Sequence, residues 1–303
     1  MTGLFKKLLG RDRTKTTPIG EAPTVPMAKR PEIAALSAAE AQEKLEFPQF
    51  EVGYAQSIGQ QREHNEDALL VINSVLASNG GSIPFGLYIV ADGMGGHKQG
   101  EIASGLAVRA IASQVVRKVL EALLAPNPEP PEESIQEILE GSLQEAHHLI
   151  MKEASGSGTT LTAMLLLEKR LTIAHVGDSR AYVIQPGGGV QLLTRDHSLV
   201  MRMMELGQLT EEEAAIHPQR NVLYRALGQG DAFTPDVTTA PLPEAGYLLM
   251  CSDGLWGVVP QSEIVRIVNA SSSPQIACQR LVQAANAAGG PDNITVILIR
   301  LPG

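Results

Sequence analysis

The feature that most limits the fold of this chain is a series of short apolar runs of strand length, four of which adjoin an aspartate. The runs are residues 87–91 before Asp92, 171–177 before Asp178, 247–252 before Asp253, and 294–299 shortly after Asp292. A carboxylate at a buried strand end is costly to desolvate unless a positive group meets it. Four carboxylates at one rim repel one another, and a divalent cation relieves that repulsion. Because they offer only oxygen ligands, the pattern favours Mg²⁺, Mn²⁺ or Ca²⁺ over zinc.

The composition is that of a globular chain of 303 residues with a hydrophobic content of 44%. This length suits one large domain or two small ones. The two cysteines, Cys251 and Cys278, make no disulfide framework, so we expect a reducing, cytoplasmic environment. No apolar run approaches the roughly 18 residues that span a bilayer, and the first residues lack the apolar core of a secretory signal. We therefore expect no transmembrane segment.

The net charge of −9 is unevenly distributed along the chain. The first thirty residues hold seven Lys/Arg and two Asp/Glu, a balance of +5, so the remainder carries −14. An acidic body argues against nucleic acid as the main ligand, because phosphate contacts need a basic face. It is compatible with bound cations.

The sequence predicts a tail over residues 1–48 and a folded domain over residues 49–303. Four prolines between residues 14 and 31, with few large apolar groups around them, leave little surface to bury. Residues 1–10 are basic and amphipathic, which is compatible with weak contact to an anionic membrane or a partner. A frayed terminus is the simpler interpretation, since so short a helix is marginal alone. Residues 32–46 are a candidate short helix.

The apolar periodicity predicts an α+β domain in which two sheets are covered by helices. Predicted strands are residues 50–55, 67–72, 86–91, 159–168, 171–176, 181–185, 190–193, 247–251 and 294–301. Predicted helices are residues 100–124, 132–153, 199–206, 210–215, 261–269 and 274–287. The four consecutive strands from residue 159 to 193 predict one antiparallel meander, because short turn sequences separate them. Residues 196–230 lose the strand pattern and are interpreted as an inserted lobe.

Six polar blocks follow one another in a fixed order along the chain. Singly, dipeptides such as Asp253-Gly254 are typical of turns. The blocks are Arg62-x-x-Asn65-Glu66-Asp67-Ala68, Asp92-Gly93-Met94-Gly95-Gly96-His97, Gly158-Thr159-Thr160, Val176-Gly177-Asp178-Ser179-Arg180, Ser252-Asp253-Gly254-Leu255-Trp256 and Asp292-Asn293-Ile294-Thr295. Together they closely resemble the metal-dependent protein phosphatases (PPM, type 2C) in their bacterial Ser/Thr form, over about residues 51–300.

This resemblance implies a four-layer α/β/β/α sandwich of two mainly antiparallel sheets, with a flap at about residues 196–230. It also implies a centre of two or three Mn²⁺ or Mg²⁺ ions at one end of the sheets. The implied ligands are Asp92 bridging two ions, Asp253 and Asp292 on the first, Glu66 and the Gly93 carbonyl on the second, and Asp178 with Asp253 on a weaker third. Asp67 and Asn293 are implied to support these ligands from behind.

The implied reaction is hydrolysis of phosphoserine and phosphothreonine in proteins. Phosphomonoester hydrolysis is among the slowest uncatalysed reactions, and paired cations lower the pKa of a bridging water while neutralising phosphoryl oxygens. Asp92, through the ions it bridges, and Arg62, as a bidentate phosphate clamp, are the candidate catalytic residues. Many eukaryotic relatives carry a histidine where this chain has Met94. The general acid is therefore left open between His97, a metal-bound water and none, with His64 near Arg62 as a further histidine.

The leading functional hypothesis is a monomeric Ser/Thr phosphatase opposing Ser/Thr protein kinases, with phosphorylated proteins as partners. A catalytically silent regulatory scaffold of the same fold is the first alternative, but lost metal ligands would mark it and none is lost. A phosphatase of an anti-sigma pathway is the second, and the Arg62 block and Asp178 favour the general Ser/Thr branch. Within the flap, residues 217–223 and 225–228 resemble the family. Three flap methionines are interpreted as packing on the core rather than as adaptable contact surface: Met201, Met203 and Met204.

Overall fold

The computed structural model describes residues 50–78, 81–95, 99–127, 131–230 and 234–302. Two antiparallel sheets, each with five strands in a continuous order, form the centre of the domain. Sheet A contains, in spatial order, β1 (Glu51–Ser57), β11 (Ile294–Leu301), β10 (Gly246–Cys251), β7 (Arg180–Ile184) and β8 (Val190–Leu192). Sheet B contains β2 (Asp67–Ser78), β3 (Gly81–Met94), β5 (Leu161–Leu167), β6 (Arg170–Val176) and β9 (Asp236–Pro241), and the short β4 (Gly158–Thr159) pairs with the end of β3. Neighbouring strands in this order are antiparallel, as predicted.

The helices lie close to their predicted bounds. They are α1 (Gln99–Val115), continued by a π-helical turn (Val116–Leu120) and α2 (Glu121–Leu124), then α3 (Ile135–Glu153), α4 (Leu199–Glu205), α5 (Glu211–Ala215), α6 (Asp253–Trp256), α7 (Gln261–Asn269) and α8 (Pro274–Ala287). Ser134 and Glu137 form a capping box at the start of α3, and Ser273 caps α8 with Pro274 as its first residue. Over the described ranges, no helix combines the length and apolarity needed to cross a bilayer.

Three apolar layers hold the sandwich together, and β3 contributes to two of them. Leu87 and Ile89 pack beneath α1 and α3, whereas Tyr88 and Val90 pack between the two sheets. A strand covered on both faces needs apolar side chains on both, which explains the continuous apolar run at residues 87–91. A third layer packs sheet A against α7 and α8. The predicted four-layer α/β/β/α arrangement is thereby confirmed.

The predicted single meander over residues 159–193 is wrong. The pairs β5–β6 and β7–β8 are hairpins, but they belong to different sheets, and the chain crosses between the sheets at residues 177–179. Gly177 has φ +102° and packs so tightly on Thr160 that a Cβ would lie 2.5 Å from the Thr160 Cβ. Only glycine adopts this turn without strain. Apolar alternation cannot reveal such a crossing, because the strands on either side of it, β6 and β7, bury similar side chains.

Two elements were missed from the sequence. Strand β9 is a half-exposed edge of sheet B with a polar sequence, DVTTAP, so it lacks the apolar alternation on which the predictions relied. Helix α6 is a single turn.

The predicted tail, residues 1–48, and its candidate helix, residues 32–46, lie outside the described residues.

Candidate metal centre

The predicted site residues of sheet B meet where β2 begins and β3 ends. Asp67 and Asp92 are directly opposite one another in the antiparallel register. Asp92 lies two residues before the end of β3, not at the strand end that the sequence suggested. Its backbone is held on the other side by Thr160, whose hydroxyl accepts from the Asp92 N–H at 3.0 Å and whose N–H donates to the Asp92 carbonyl at 2.9 Å.

Sheet A contributes Asp253 and Asp292 from the neighbouring strands β10 and β11. Asp253 is the first residue of α6 and follows β10 after the single residue Ser252, and Asp292 lies two residues before β11. The two segments touch closely: a Cβ on Gly254 would overlap the Asn293 carbonyl oxygen. Glycine at position 254 is therefore needed to keep the two aspartates adjacent.

Asn293 joins this rim to the loop that carries Glu66. Its Oδ1 accepts from the Glu66 N–H at 2.8 Å, and its Nδ2 donates to the carbonyls of Ile58 at 2.8 Å and His64 at 2.9 Å. All three bonds of this buried amide go to main-chain groups. The contacts agree with a supporting position for Asn293.

Glu66 and Gly93 are brought together by the backbone. The Gly93 N–H donates to the Glu66 carbonyl at 3.2 Å, and a Cβ on Gly93 would overlap the carbonyl oxygens of Glu66 and Gly100. The Glu66 side chain packs against Gly100 at the start of α1. Burial raises the pKa of Glu66, and the positive charge of Arg62 opposes this effect.

Asp178 follows β6 and is 7% exposed. The indole of Trp256, from α6, donates to the Asp178 carbonyl at 3.0 Å. Arg180 stacks on the Trp256 ring at 3.5 Å and pairs with both carboxylate oxygens of Asp196. The sequence alone indicated no role for Trp256, Arg180 or Asp196, although the first two lie within the six blocks.

The buried acids influence one another strongly. Burial is the first cause that raises the pKa of Asp67 to about 7, of Asp178 to about 8 and of Asp253 to about 6. Repulsion adds to it, and Asp92, which faces Asp67, Asp253, Asp178 and Asp292, has a pKa well above its ordinary value. We call these five residues the carboxylate cluster. Its members resist carrying several negative charges together, so they favour binding of protons or cations.

Two carboxylate oxygens of the cluster indicate that a hard cation fits the site. Asp67 accepts from the hydroxyls of Ser252 at 2.8 Å and Thr295 at 2.6 Å through Oδ2 alone. Among the described side chains, the Oδ1 atoms of Asp67 and Asp253 are buried and have no hydrogen-bond partner. Buried oxygens without a donor are unusual, and an oxygen-only donor set suits Mn²⁺, Mg²⁺ or Ca²⁺. The residues present fit such an ion.

The side chains of the carboxylate cluster face one another, and Asp292 also pairs with Arg62. Within the ranges that the structure describes, no three acidic, histidine or cysteine side chains have the arrangement of a ready metal site. Burial and repulsion from Asp292 raise the pKa of Asp253, and the charge of Arg62 opposes them. Arg62 Nη2 lies 2.6 Å from Asp292 Oδ2. Arg62 therefore occupies one carboxylate oxygen of Asp292.

Three of the remaining candidates lie on segments that carry members of the site. Arg62 is half exposed, His64 is exposed in the same loop, and Met94 is the last residue of β3. His97 lies outside the described residues. In the flap, α4 has no fully buried residue, and its methionines are only partly covered.

Comparison with known proteins identifies the family. A family model for Protein phosphatase 2C matches residues 53–294. The chain is 37% identical over 247 residues to the serine/threonine phosphatase stp of Listeria welshimeri, which covers 80% of this chain and 92% of that protein. The S. agalactiae serine/threonine phosphatase structure has a TM-score of 0.69 at 33% identity, covering 83% of this chain and 99% of that one. The catalytic domain of PstP in complex with two manganese ions has a TM-score of 0.66 at 28% identity, covering 84% and 100%. The chain belongs to the protein phosphatase 2C family, whose members are metal-dependent phosphoprotein hydrolases.

Proposed function

We propose that this chain hydrolyses phosphoserine and phosphothreonine in proteins at the carboxylate cluster, with two or three Mn²⁺ or Mg²⁺ ions bound. The observation that carries the proposal is the convergence of five aspartates from both sheets, two of which hold buried oxygens without a donor. Such a site is unfavourable unless cations bind it. Family membership and the similarity to a manganese-bound relative support the same conclusion.

Each ligand assignment uses a residue that the fold brings to this rim. Asp92 would bridge two ions, with Asp253 and Asp292 on the first, and Glu66 and the Gly93 carbonyl on the second. Asp178 would bind a third, weaker ion. Bound cations would supply an activated water and charge neutralisation of the phosphoryl oxygens.

The other residues of the site support the metal ligands, bind the phosphate group or are candidates for the general acid. Ser252 and Thr295 occupy one oxygen of Asp67, so that its other oxygen can accept a hydrogen bond from water inside the site. Arg62 would exchange Asp292 for phosphate oxygens, because guanidinium matches both acceptors and the arginine is half exposed. Met94 has no proton to give, so the general acid stays open between His97, a metal-bound water and none, with His64 near Arg62 as a further histidine.

We infer phosphorylated proteins, including a Ser/Thr protein kinase and its substrates, as partners, and a monomer as the active form. Two buried cysteines without a disulfide suit the cytoplasm. Residues 49–303 would form the catalytic domain, with the flap at about residues 196–230, and residues 1–48 would be dispensable for chemistry.

The test is phosphate release from a phosphothreonine peptide. We expect turnover with Mn²⁺ or Mg²⁺, none above background in excess chelator, and none in Asp92→Ala under either condition. Glu263→Ala, which changes a partly exposed carboxylate paired with Arg266, serves as the control and should match the wild type. Full turnover in chelator, or a strict requirement for zinc, would refute the proposal.

A further inference from the structure

The root of the flap is fastened to the loop that carries Asp178. His197 is 1% exposed, at the point where the chain leaves sheet A for α4. Its N–H donates to the Gly177 carbonyl at 2.7 Å, and the Gly177 N–H donates to His197 Nδ1 at 3.1 Å. Both main-chain polar groups of Gly177 are thereby held by one residue of the flap.

These contacts define the tautomer of His197. A backbone N–H can only donate, so Nδ1 carries no proton and the neutral ring is protonated at Nε2. Nε2 lies 3.1 Å from Asp236 Oδ2 and donates to it. Arg225 Nη1 lies 3.3 Å from Nε2, but it is also a donor, so its bond goes to Asp236 Oδ1 at 2.9 Å. Each ring nitrogen therefore has one defined partner.

The two bonds to Gly177 restrain Asp178 through adjoining peptide units. The Gly177 carbonyl belongs to the unit shared with Asp178, and the Gly177 N–H, which donates to His197 Nδ1, belongs to the unit before it. Trp256 holds the Asp178 carbonyl from the opposite side. The positive φ of Gly177 and its tight packing on Thr160 leave little freedom between these two anchors. The direction of the Asp178 side chain is therefore set by a loop clamped at both ends.

We propose that His197 is a positioning residue: through its Nδ1 bond to the Gly177 N–H it orients Asp178 toward the cation and joins the flap to that ligand. This inference rests on the proposed function, in which Asp178 is a cation ligand. It predicts that the Nδ1 acceptor, rather than the presence of a side chain of this size, determines how well the cation at Asp178 is held.

Two amide substitutions separate the ring nitrogens. His197→Asn places an amide oxygen near Nδ1, which keeps the acceptor for Gly177 and loses the donor to Asp236. His197→Gln extends an amide nitrogen toward Nε2, which keeps the donor and loses the acceptor. The same two changes at the exposed His148 of α3 are the controls. Both variants remove an aromatic ring from the same place, so their melting temperatures measure the loss of packing they share.

The experiment combines amide hydrogen exchange at Gly177, by NMR, with calorimetric titration of Mn²⁺ into the full chain. We expect His197→Gln to exchange Gly177 about tenfold faster, as loss of one hydrogen bond implies, and to weaken the weakest Mn²⁺ site about 10- to 100-fold. His197→Asn should stay within about threefold of wild type in both measurements. If the amide of Gly177 exchanged at the same rate in both variants, the role of Nδ1 would be overturned. If the two variants differed in this exchange rate but bound Mn²⁺ with the same affinity, the link to Asp178 would be overturned. A wild type that binds no Mn²⁺ would instead refute the proposed function, while the exchange data would still report on His197.

Discussion

Neutralising one member of the carboxylate cluster should stabilise the metal-free protein while it weakens metal binding. Asp253→Asn keeps the size and shape of the side chain and removes its charge. Burial, followed by repulsion from Asp292, raises the pKa of Asp253 from 3.8 to about 6. An acid with a raised pKa binds its proton more tightly in the folded protein than in the unfolded chain. The stability of the metal-free protein therefore falls as the pH rises from about 4 to about 6, and the loss is complete above that range.

The size of the effect follows from the shift in pKa. Two pKa units correspond to about 3 kcal/mol of unfolding free energy, which Asp253→Asn should recover at pH 7.5. For a domain of this size, 1 kcal/mol moves the melting temperature by roughly 2–4 °C. At about 2 °C per kcal/mol, we expect the melting temperature of Asp253→Asn in excess chelator to be roughly 6 °C above that of the wild type.

Differential scanning fluorimetry at pH 7.5, with chelator and then with Mn²⁺, measures both halves of this prediction. The control is Asp236→Asn. Burial raises the pKa of Asp236, but the hydrogen bonds from His197 and Arg225 and the charge of Arg225 outweigh it, so that the pKa is lowered. Its neutralisation should therefore lower the melting temperature. Added Mn²⁺ should raise the melting temperature of the wild type by mass action and that of Asp253→Asn much less. If Asp253→Asn melts at or below the wild type in chelator, the argument from mutual repulsion is wrong.

Three further predictions concern activity and the tail. Asp92→Ala should lower kcat by several orders of magnitude with an unchanged circular dichroism spectrum, because the ions it bridges supply most of the charge stabilisation; near wild-type kcat would exclude the assignment. Arg62→Ala should raise KM more than it lowers kcat, since a phosphate clamp acts in ground and transition states alike, and an unchanged KM in steady-state kinetics would contradict this role. Removal of residues 1–48 should leave the melting temperature and aryl phosphate turnover nearly unchanged, whereas a drop of many degrees would show that the tail packs into the domain.

Much of the fold could be predicted because local pattern and tertiary burial agree. The run at residues 87–91 is apolar throughout, and β3 is buried on both faces. Helices α7 and α8 begin and end at their predicted residues, where Pro260, Ser273 and Pro274 mark the starts. Strand β9 escaped prediction because an exposed edge needs no apolar alternation.

The candidate site was predictable as a set of residues, but not as an arrangement. The order of the six blocks identified the acids, whereas nothing local indicates that β6 and β7 belong to different sheets or that Asp178 lies at the crossing. The contacts of Arg180 with Trp256 and Asp196 join β7, α6 and the loop before α4. Sequence spacing carries no information about such long-range pairs, so only the folded chain reveals them.

The most direct test of the central claim is the number of Mn²⁺ ions bound per chain, measured by electron paramagnetic resonance of free Mn²⁺ during titration. Parallel samples should be assayed for phosphothreonine peptide hydrolysis. We predict at least two bound ions per wild-type chain, phosphate release that rises with their occupancy, and neither binding nor turnover in Asp92→Ala. Phosphate release from a wild-type chain that binds no Mn²⁺ or Mg²⁺, or full Mn²⁺ binding by Asp92→Ala, would contradict the account.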